Sequence, residues 1–513
     1  MPTTEPANAK IAQVTSKGCI PQRYVFGLMG FLAVANAYAM RGCLSLAITV
    51  MVSQQDSDST PSIADDNDDP YACPGQLETG GGNSSHAGEF DWDEKTQGYI
   101  LSAFFFGYVI THLPGGLLAQ KFGGKQILGL GILGTAILTI LTPFAARAGS
   151  HWLIAVRFVE GLGEGTTFPA INVLLAQWVP PMERGKLGSL VFAGNQIGTV
   201  VSSILTGLLL KYYEGQWPVV FYFFGGLGVI WYLAFCFTCY NDPASHPYIS
   251  QEEKEYLQET IGCLKRKENL PPTPWISLAL SVPLWALIIG QIGHDWALFM
   301  IQTDLPKYMS SVLHFSVAQN GFLSALPFMV MWITANFAGW LSDYLLKHKC
   351  ASLNVVRKSF TTVASIGPAI GVLAASYAGC DRNLVAGLFA GGMAFMGFFY
   401  SSLKINALDL SPNYAGTLMA LVNGIGAIAG ILTPMLVGFL APGSTLLEWR
   451  LVFWICGAVV LITNVIYIIF GSVKTQPWND LRTVDDDEVV QWKQTRDEVK
   501  PNDRTIEIHP RKE

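Results

Sequence analysis

The chain has 513 residues, 50% of them hydrophobic and only 14% charged, against roughly 25% charged in an average water-soluble domain. So few charges cannot clothe a water-facing surface of this size. A net charge of -6, from 32 basic and 38 acidic residues, also excludes a nucleic-acid-binding chain and a strongly acidic unfolded one, which leaves an integral membrane protein.

A helix needs about 20 apolar residues to cross the hydrocarbon, and it satisfies its own backbone there. Twelve such runs are predicted, over 24–52, 97–118, 127–146, 152–179, 187–210, 218–240, 282–306, 320–343, 359–378, 385–407, 414–440 and 450–471. The first is longer than the apolar core of a secretory signal and has no small-residue cleavage site at its end, so it is expected to stay as an anchor. The loop of 53–95 carries eleven acidic residues and no Lys or Arg through residue 94, which reads as a solvated segment. Its Asn83-Ser84-Ser85 is the one N-glycosylation sequon in the chain. A solubilising glycosylated role and a cation-concentrating role both fit. Cys73 in this loop and Cys380 in a later loop on the same side could pair in an oxidising compartment, and the sequence leaves that open. Cys236 and Cys239, inside the apolar FCFTC, read as small buried hydrophobes rather than metal ligands.

Loops held in the cytoplasm keep Lys and Arg. With the N-terminus inside, 23 of the 32 basic residues fall on the cytoplasmic side and five in the opposite loops. Both termini are therefore expected inside, and the sequon outside. The domain plan is a cytoplasmic tail 1–23, a first six-helix bundle 24–240, a cytoplasmic linker 241–281, a second bundle 282–471 and a disordered tail 472–513 with no assigned chemistry. In the linker, Ser250 to Glu253 is a capping box ahead of EKEYLQETIGCLKRK, predicting a short amphipathic helix that closes the seam between the halves.

The halves repeat weakly. Gly116 in GLLAQK has a counterpart in Gly339 of GWLSDY at an offset of 223 residues, and Asn195 in NQIG matches Asn423 in NGIG at 228. Parallel bundles of this kind place a substrate site near mid-membrane between them and work by rocking. Many of the 51 glycines lie inside spans, where small side chains let helices approach.

An ionised side chain at mid-bilayer costs roughly 2.5–3.5 kcal/mol on insertion scales and should face a cavity or a partner. Arg41 interrupts the first span; its guanidinium stays protonated and offers a planar fork to a carboxylate or phosphate, with an interhelical pair or snorkelling as the other readings. Arg157, Glu160 and Glu164 share one face of the fourth span. If one glutamate pairs with Arg157 and the other is poorly solvated, the second gains proton affinity and could accept H+ during a cycle. The alternative is a static ladder. His294 and Asp295 lie in the seventh span, where the histidine could titrate, donate to an anion or simply bond a neighbour. Lys404 in the tenth is either a second cationic group in the site or a snorkelling lysine. His112 reads as an interhelical hydrogen-bonding residue and Phe104-Phe105-Phe106 as packing, with Tyr108 able to turn a hydroxyl to the site. Arg41, Arg157 and Lys404 balance Glu160, Glu164 and Asp295 if all are ionised, so an anion entering alone unbalances the site and a co-bound H+ or Na+ restores it. Cation-coupled anion symport follows as the expectation.

Gly116, Lys121, Gly123 and Lys125 resemble the loop signature between the second and third helices of the major facilitator superfamily, with Gln120 in place of the usual acid and Asp343 keeping that acid in the second half. The resemblance implies a conformational latch at these residues and a fold of two six-helix bundles. The fifth span lacks the Gly-Pro pattern of the superfamily's antiporters. SAFFFGYVITHLPGG, RFVEGLGEGTTFPA, PPMERGKL, LPKYM, NGFLSALP and NALDLSPNYAG resemble the anion:cation symporter family of sialin, the vesicular glutamate transporters and the sodium-dependent phosphate cotransporters. That resemblance implies substrate binding at Arg41, with Tyr108, His294 and Lys404 as further candidates, and cation coupling at Arg157 and Glu164, with Glu160 as in sialin-like members. Leu101 and His294 stand where vesicular glutamate carriers have histidine and arginine, which disfavours glutamate loading. Lys404 and SPNYAG look most like invertebrate members described as phosphate cotransporters, so phosphate, acidic sugars and other organic acids stay open. No acidic dileucine signal is seen in either tail, which tilts the expected location to the plasma membrane over lysosomal or vesicular membranes.

No cofactor is expected beyond the co-transported Na+ or H+. The expected partners are a small anion and the bilayer, with no nucleic acid, and the expected unit is the monomer. An enzyme is disfavoured because no nucleophile-base pair, zinc motif or phosphate loop is seen. Opposed buried charges in two unequal halves suit an alternating site better than an anion channel, and a non-transporting receptor on a carrier fold stays open.

Overall fold

The computed structural model of the protein describes residues 21–53, 73, 88–180, 183–265 and 273–480. Asn83, most of the acidic loop, residues 1–20 and residues 481–513 lie outside them. Residues 472–480, expected as the start of a disordered tail, are ordered instead: they end in a 3-10 turn over Pro477–Asp480, Trp478 is buried, and Ser411 Oγ donates to Asn479 Oδ1 at 2.7 Å.

The described chain is helical. The first half holds α1 (Gln22–Met51), α2 (Glu94–Phe122), α3 (Gly124–Ala148), α4 (Ser150–Glu164), α5 (Thr167–Trp178), α6 (Arg184–Tyr212) and α7 (Pro218–Thr238). The linker contributes α8 (Gln251–Lys265) and α9 (Trp275–Ala279). The second half holds α10 (Val282–Thr303), α11 (Leu305–Ser311), α12 (Val317–Lys347), α13 (Leu353–Tyr377), α14 (Arg382–Met396), a 3-10 turn over Gly397–Ser401, α15 (Leu403–Leu410), α16 (Ala415–Gly426), α17 (Ile428–Leu440) and α18 (Leu446–Phe470). Among the described residues eleven segments are long and apolar enough to cross a membrane. The remaining predicted span, 152–179, is present as α4 and α5 with a break at Gly165 and Thr166.

That break follows from sequence. Gly161 and Gly165 leave the fourth span without side chains where α2 lies against it, and Gly163 does the same toward Gly131 and Thr135 of α3. A Cβ on Gly161 would enter the Phe104 carbonyl, and one on Gly165 would meet the Tyr108 carbonyl and the Thr111 hydroxyl. The two backbones therefore touch, and this contact sets Phe104 and Tyr108 beside the charged face of α4.

Helix ends are fixed locally. Asp93 accepts from the Thr96 amide at 3.0 Å to start α2, and Thr445 with Glu448 forms a capping box on α18. Glu89, ahead of α2, accepts from Arg147 Nε at 2.8 Å and from Trp217 Nε1 at 2.9 Å. The Arg147 hydrogen bond holds its carboxyl below the ordinary carboxylate value.

The halves meet along α6 against α12 and α2 against α17. Near the face that carries the termini-distal loops, Gly207 lies against Gly321, Gly98 against the Pro434 carbonyl and Gly438 against the Glu94 carbonyl. On the same seam Ser102 Oγ donates to the Ile431 carbonyl at 2.9 Å. Cys73 is disulfide-bonded to Cys380, so the loop between α1 and α2 is joined covalently to the second half between α13 and α14.

The opposite face, rich in Lys and Arg, is organised differently. α8 is helical as its capping box predicts, with the Glu253 amide donating to Ser250 Oγ at 3.2 Å. It does not close the seam: Tyr256 and Leu257 bury into the core of the first bundle. The Glu253 carboxylate accepts from the Gln22 amide at 2.8 Å and from Arg23 Nη1 at 3.0 Å, while Arg23 Nε reaches Glu183 at 2.8 Å. An acid on the linker thus caps the first spanning helix, which fastens the linker to one bundle. The residues expected to form a latch show no bond across the seam among the described contacts. The Lys125 amide donates to Asn241 Oδ1 at 2.9 Å and its ammonium to the Cys236 carbonyl at 3.0 Å. Gly123 has φ 95°, a turn that only glycine adopts without strain. Gly116 packs on Pro169, whereas Lys121 and Asp343 are exposed. In the second half Arg357 grips Asp409 at 2.8 Å and the Ser401 carbonyl at 2.7 Å.

Candidate site between the bundles

Arg41 points into the seam, not toward lipid, and is 4% exposed. Its guanidinium carbon lies over five rings: Phe105 at 4.6 Å, Tyr38 and Phe299 at 5.0 Å, Phe104 at 5.3 Å and Tyr108 at 5.8 Å. Phe299 belongs to α10, so the cage is built from both halves. Nη1 stands 3.9 Å from Glu164 Oε1, too far for a hydrogen bond. Nε and Nη2 of Arg41 and both carboxylate oxygens of Glu164 are buried without a hydrogen-bond partner. Ring faces are attracted to the cation but accept poorly, so they hold the guanidinium while Nε and Nη2 keep unused donors; the Tyr38 side chain is in addition a hydrogen-bonding neighbour of Arg41.

Arg157 is satisfied differently. Nη1 donates to Glu160 Oε2 at 2.6 Å and Nη2 to the Arg41 carbonyl at 3.4 Å. The other Glu160 oxygen accepts from Thr139 at 3.3 Å and Thr142 at 3.4 Å. Phe104 lies between the two arginines, 5.0 Å from the Arg157 guanidinium carbon. Of the two glutamates, Glu160 is hydrogen-bonded to its arginine, whereas Glu164 has Arg41 only at ion-pair distance and accepts no hydrogen bond.

The second half supplies another cluster. Lys404 donates to Asn423 Oδ1 at 2.6 Å, so it is turned inward onto α16. Asp295 accepts from Gln291 at 2.9 Å, and its other oxygen occupies the space that a side chain at Gly426 would need. His294 stacks on Phe399 with centroids 3.4 Å apart and leaves Nε2 unpartnered. His112 lies against Tyr108 and beside Gly424, with Nδ1 unpartnered. The Tyr400 hydroxyl faces the amides of Asn195 and Gln196 across the seam. The 3-10 turn over Gly397–Ser401 presents Phe399 and Tyr400 here, and at Gly397 the chain lies so close to α12 that a side chain would meet the Met331 carbonyl and the Ala335 amide.

Among the described residues no group of His, Cys, Asp and Glu is arranged to hold a metal ion. The arrangement therefore offers a caged guanidinium with free donors, a buried carboxyl without donors and an amide-tethered lysine.

Residues 30–380 match the profile of the Major Facilitator Superfamily. The chain belongs to that superfamily. It is 40% identical over 457 residues to a "Putative inorganic phosphate cotransporter" of Drosophila ananassae, covering 88% of this chain and 93% of the relative. It is 38% identical to sialin of Homo sapiens, covering 90% and 91% of the two chains. To vesicular glutamate transporter 1 of Bos taurus it is 32% identical, covering 93% and 81%. These relatives place this superfamily member in the anion:cation symporter group, with invertebrate phosphate cotransporters among the nearest. It is a multi-pass membrane transporter and not an enzyme. The fold agrees with an inward-facing bacterial homologue of the lysosomal transporter Spinster, at TM-score 0.64, 13% identity and 88% and 97% coverage. It also agrees with the inward-open xylose transporter XylE of E. coli at TM-score 0.63, 11% identity and 91% and 98% coverage. The plasma-membrane expectation finds no support, since one relative is named vesicular.

Several residues in the site are not among those singled out from sequence. Tyr38 sits three positions before Arg41 on the same helical face, which is a readable signal. Asn195 and Asn423 are visible as a repeat between the halves, and both face the site. Phe104 and Phe105, read as packing, form two walls of the Arg41 cage. Gln291, Phe299 and Tyr400 carry no sequence signal that separates them from core residues.

Proposed function

We propose that this transporter carries a small anion together with H+ or Na+ by alternating access. Arg41 binds the anion, assisted by Tyr108, His294 and Lys404, while Glu164 takes up the coupling cation, with Arg157 and Glu160 as its fixed neighbours. The observation that carries the reading is the juxtaposition in the seam of a guanidinium with free donors and a carboxyl with none. An anion on Arg41 draws that charge away from Glu164, and a cation on Glu164 then removes the cost of an unpaired buried carboxylate. Loading both leaves the net charge of the seam unchanged, which lets the bundles rock. The basic face is the cytoplasmic one in this reading, so Asn83 and the disulfide lie outside. Inorganic phosphate and small organic acids are the substrates to test, the former favoured by the name of the Drosophila relative.

A second reading is H+-driven export of an acidic sugar or amino acid from an internal compartment, favoured by the similarity to sialin. Uptake into proteoliposomes of phosphate, sialate, glutamate and urate, each under an imposed Na+ or pH gradient, separates the two. Glu164→Gln should abolish gradient-driven accumulation while sparing anion exchange; intact accumulation in that variant would overturn the coupling role.

A further inference from the structure

We propose that Glu94 and Lys307 form a charged bolt across the seam that holds the disulfide-bearing face shut, so that parting this pair is a step in opening that face. Glu94 is the first residue of α2, in the first half, and Lys307 lies on α11, in the second. Their side chains form an ion pair and are 18% and 7% exposed.

Both partners stand on fixed elements. Asp93 caps the helix that begins with Glu94, and a carboxylate in a first helical turn is favoured by the helix dipole. On the other side, Asn320 Nδ2 donates to the Pro306 carbonyl at 2.6 Å and Ser324 Oγ to Asn320 at 2.9 Å, pinning α11 to α12. The bond therefore joins one bundle to the other rather than a loop to its neighbour. Around it the seam is closed by Gly438 on the Glu94 carbonyl and Gly98 on the Pro434 carbonyl, contacts that small residues make and release at low cost. The ion pair is a different kind of contact. Separating it in a low-dielectric seam leaves an ammonium on one wall and a carboxylate on the other, and each needs water or a new partner. Opening that face admits the water, so the pair is strong only while the face is closed. Lys307 also meets an approaching anion first on that wall once Glu94 has left.

The inference rests on the alternating-access reading, but its test does not use transport. In the full-length protein Ser102, buried in the seam at 1% exposure, is replaced by Cys. A membrane-impermeant maleimide is then added to the disulfide-bearing face, and labelling is counted against the same protein without the reporter. Glu94→Gln and Lys307→Gln should each label about five- to tenfold faster, the span expected for loss of one coupling contact. Lys307→Arg should label at the parent rate. The charge-swapped pair Glu94→Lys with Lys307→Glu should return to within about threefold of it, the remainder reflecting a cation at a helix start. Unchanged labelling in either folded neutral variant, or a swapped pair as fast as the single variants, would overturn the bolt. If one neutral variant does not fold, the other decides. Normal gradient-driven uptake with unshifted labelling sinks the bolt alone, whereas shifted labelling with no uptake of any anion sinks the transport reading alone.

Discussion

The two halves of the site hold their charges in opposite ways. In the first half, Arg157 and Glu160 are locked by ions and hydroxyls, with contacts of 2.6–3.4 Å, and next to them Arg41 and Glu164 are left with unused hydrogen-bonding capacity. In the second half, Lys404 and Asp295 are held by the neutral amides of Asn423 and Gln291. An ion partner fixes a charge strongly and leaves an unpaired charge when removed, whereas an amide can yield to a competing anion at little cost. The contrast teaches that the first half is a rigid frame around one reactive pair, and the second an adjustable wall.

Breaking the frame should give the largest effect. Arg157→Ala leaves Glu160 buried and unpaired and should cost about 3–5 kcal/mol of folding stability, read as a large drop in thermal unfolding temperature; Arg157→Met with Glu160→Gln should recover much of it. Arg41→Ala should weaken anion binding by about 2–5 kcal/mol, the range for truncating one member of a buried charged contact. Equilibrium binding of the transported anion checks this. Arg41→Lys should recover only part, because an ammonium lacks the planar fork.

The adjustable wall should respond less. Lys404→Met is expected to raise the apparent KM about five- to tenfold, a loss near 1–1.4 kcal/mol, while leaving the thermal unfolding temperature close to the parent. An equal stability loss in Lys404→Met and Arg157→Ala would erase the distinction between the halves. The smallest effect is expected away from the site. The Glu89 carboxyl is lowered from its ordinary 4.5 by the Arg147 hydrogen bond. Its stabilising contribution is therefore complete above that value and is lost as pH falls through the depressed one. Both side chains are well exposed, so Glu89→Gln should cost no more than about 1 kcal/mol at neutral pH. The difference from the parent should shrink in acid, as thermal unfolding at several pH values will show.

Much of the fold is legible in residues. Spans are a property of local composition, since about 20 apolar residues in a row have only the bilayer core to occupy. Arg41, Arg157, Glu160, Glu164 and Lys404 are visible for the same reason, as charges where charge is costly. Their partners are not. Arg157 has Glu160 one turn on and within reach, but nothing in the sequence shows that Thr139 and Thr142 of α3 complete that carboxylate's bonding or that Glu164 is left facing Arg41 at 3.9 Å. The aromatic run of α2 reads as packing because nothing in it shows that Phe299, nearly two hundred residues away, closes a cage with it. The linker helix was equally visible from its capping box, yet the bundle it docks on depends on Arg23 and Glu183 at distant positions.

By itself the amino-acid order determined that this chain crosses a membrane many times, repeats in two halves and buries a few ionisable groups, because hydrophobic transfer and periodicity act over one helix at a time. Only the tertiary structure decided which carboxyl is spent on an arginine and which is left open, that Cys73 and Cys380 join the halves, and that Glu94 meets Lys307. Those outcomes depend on close glycine-mediated contact between distant helices, and electrostatic and hydrogen-bond partnership is set by distance in space.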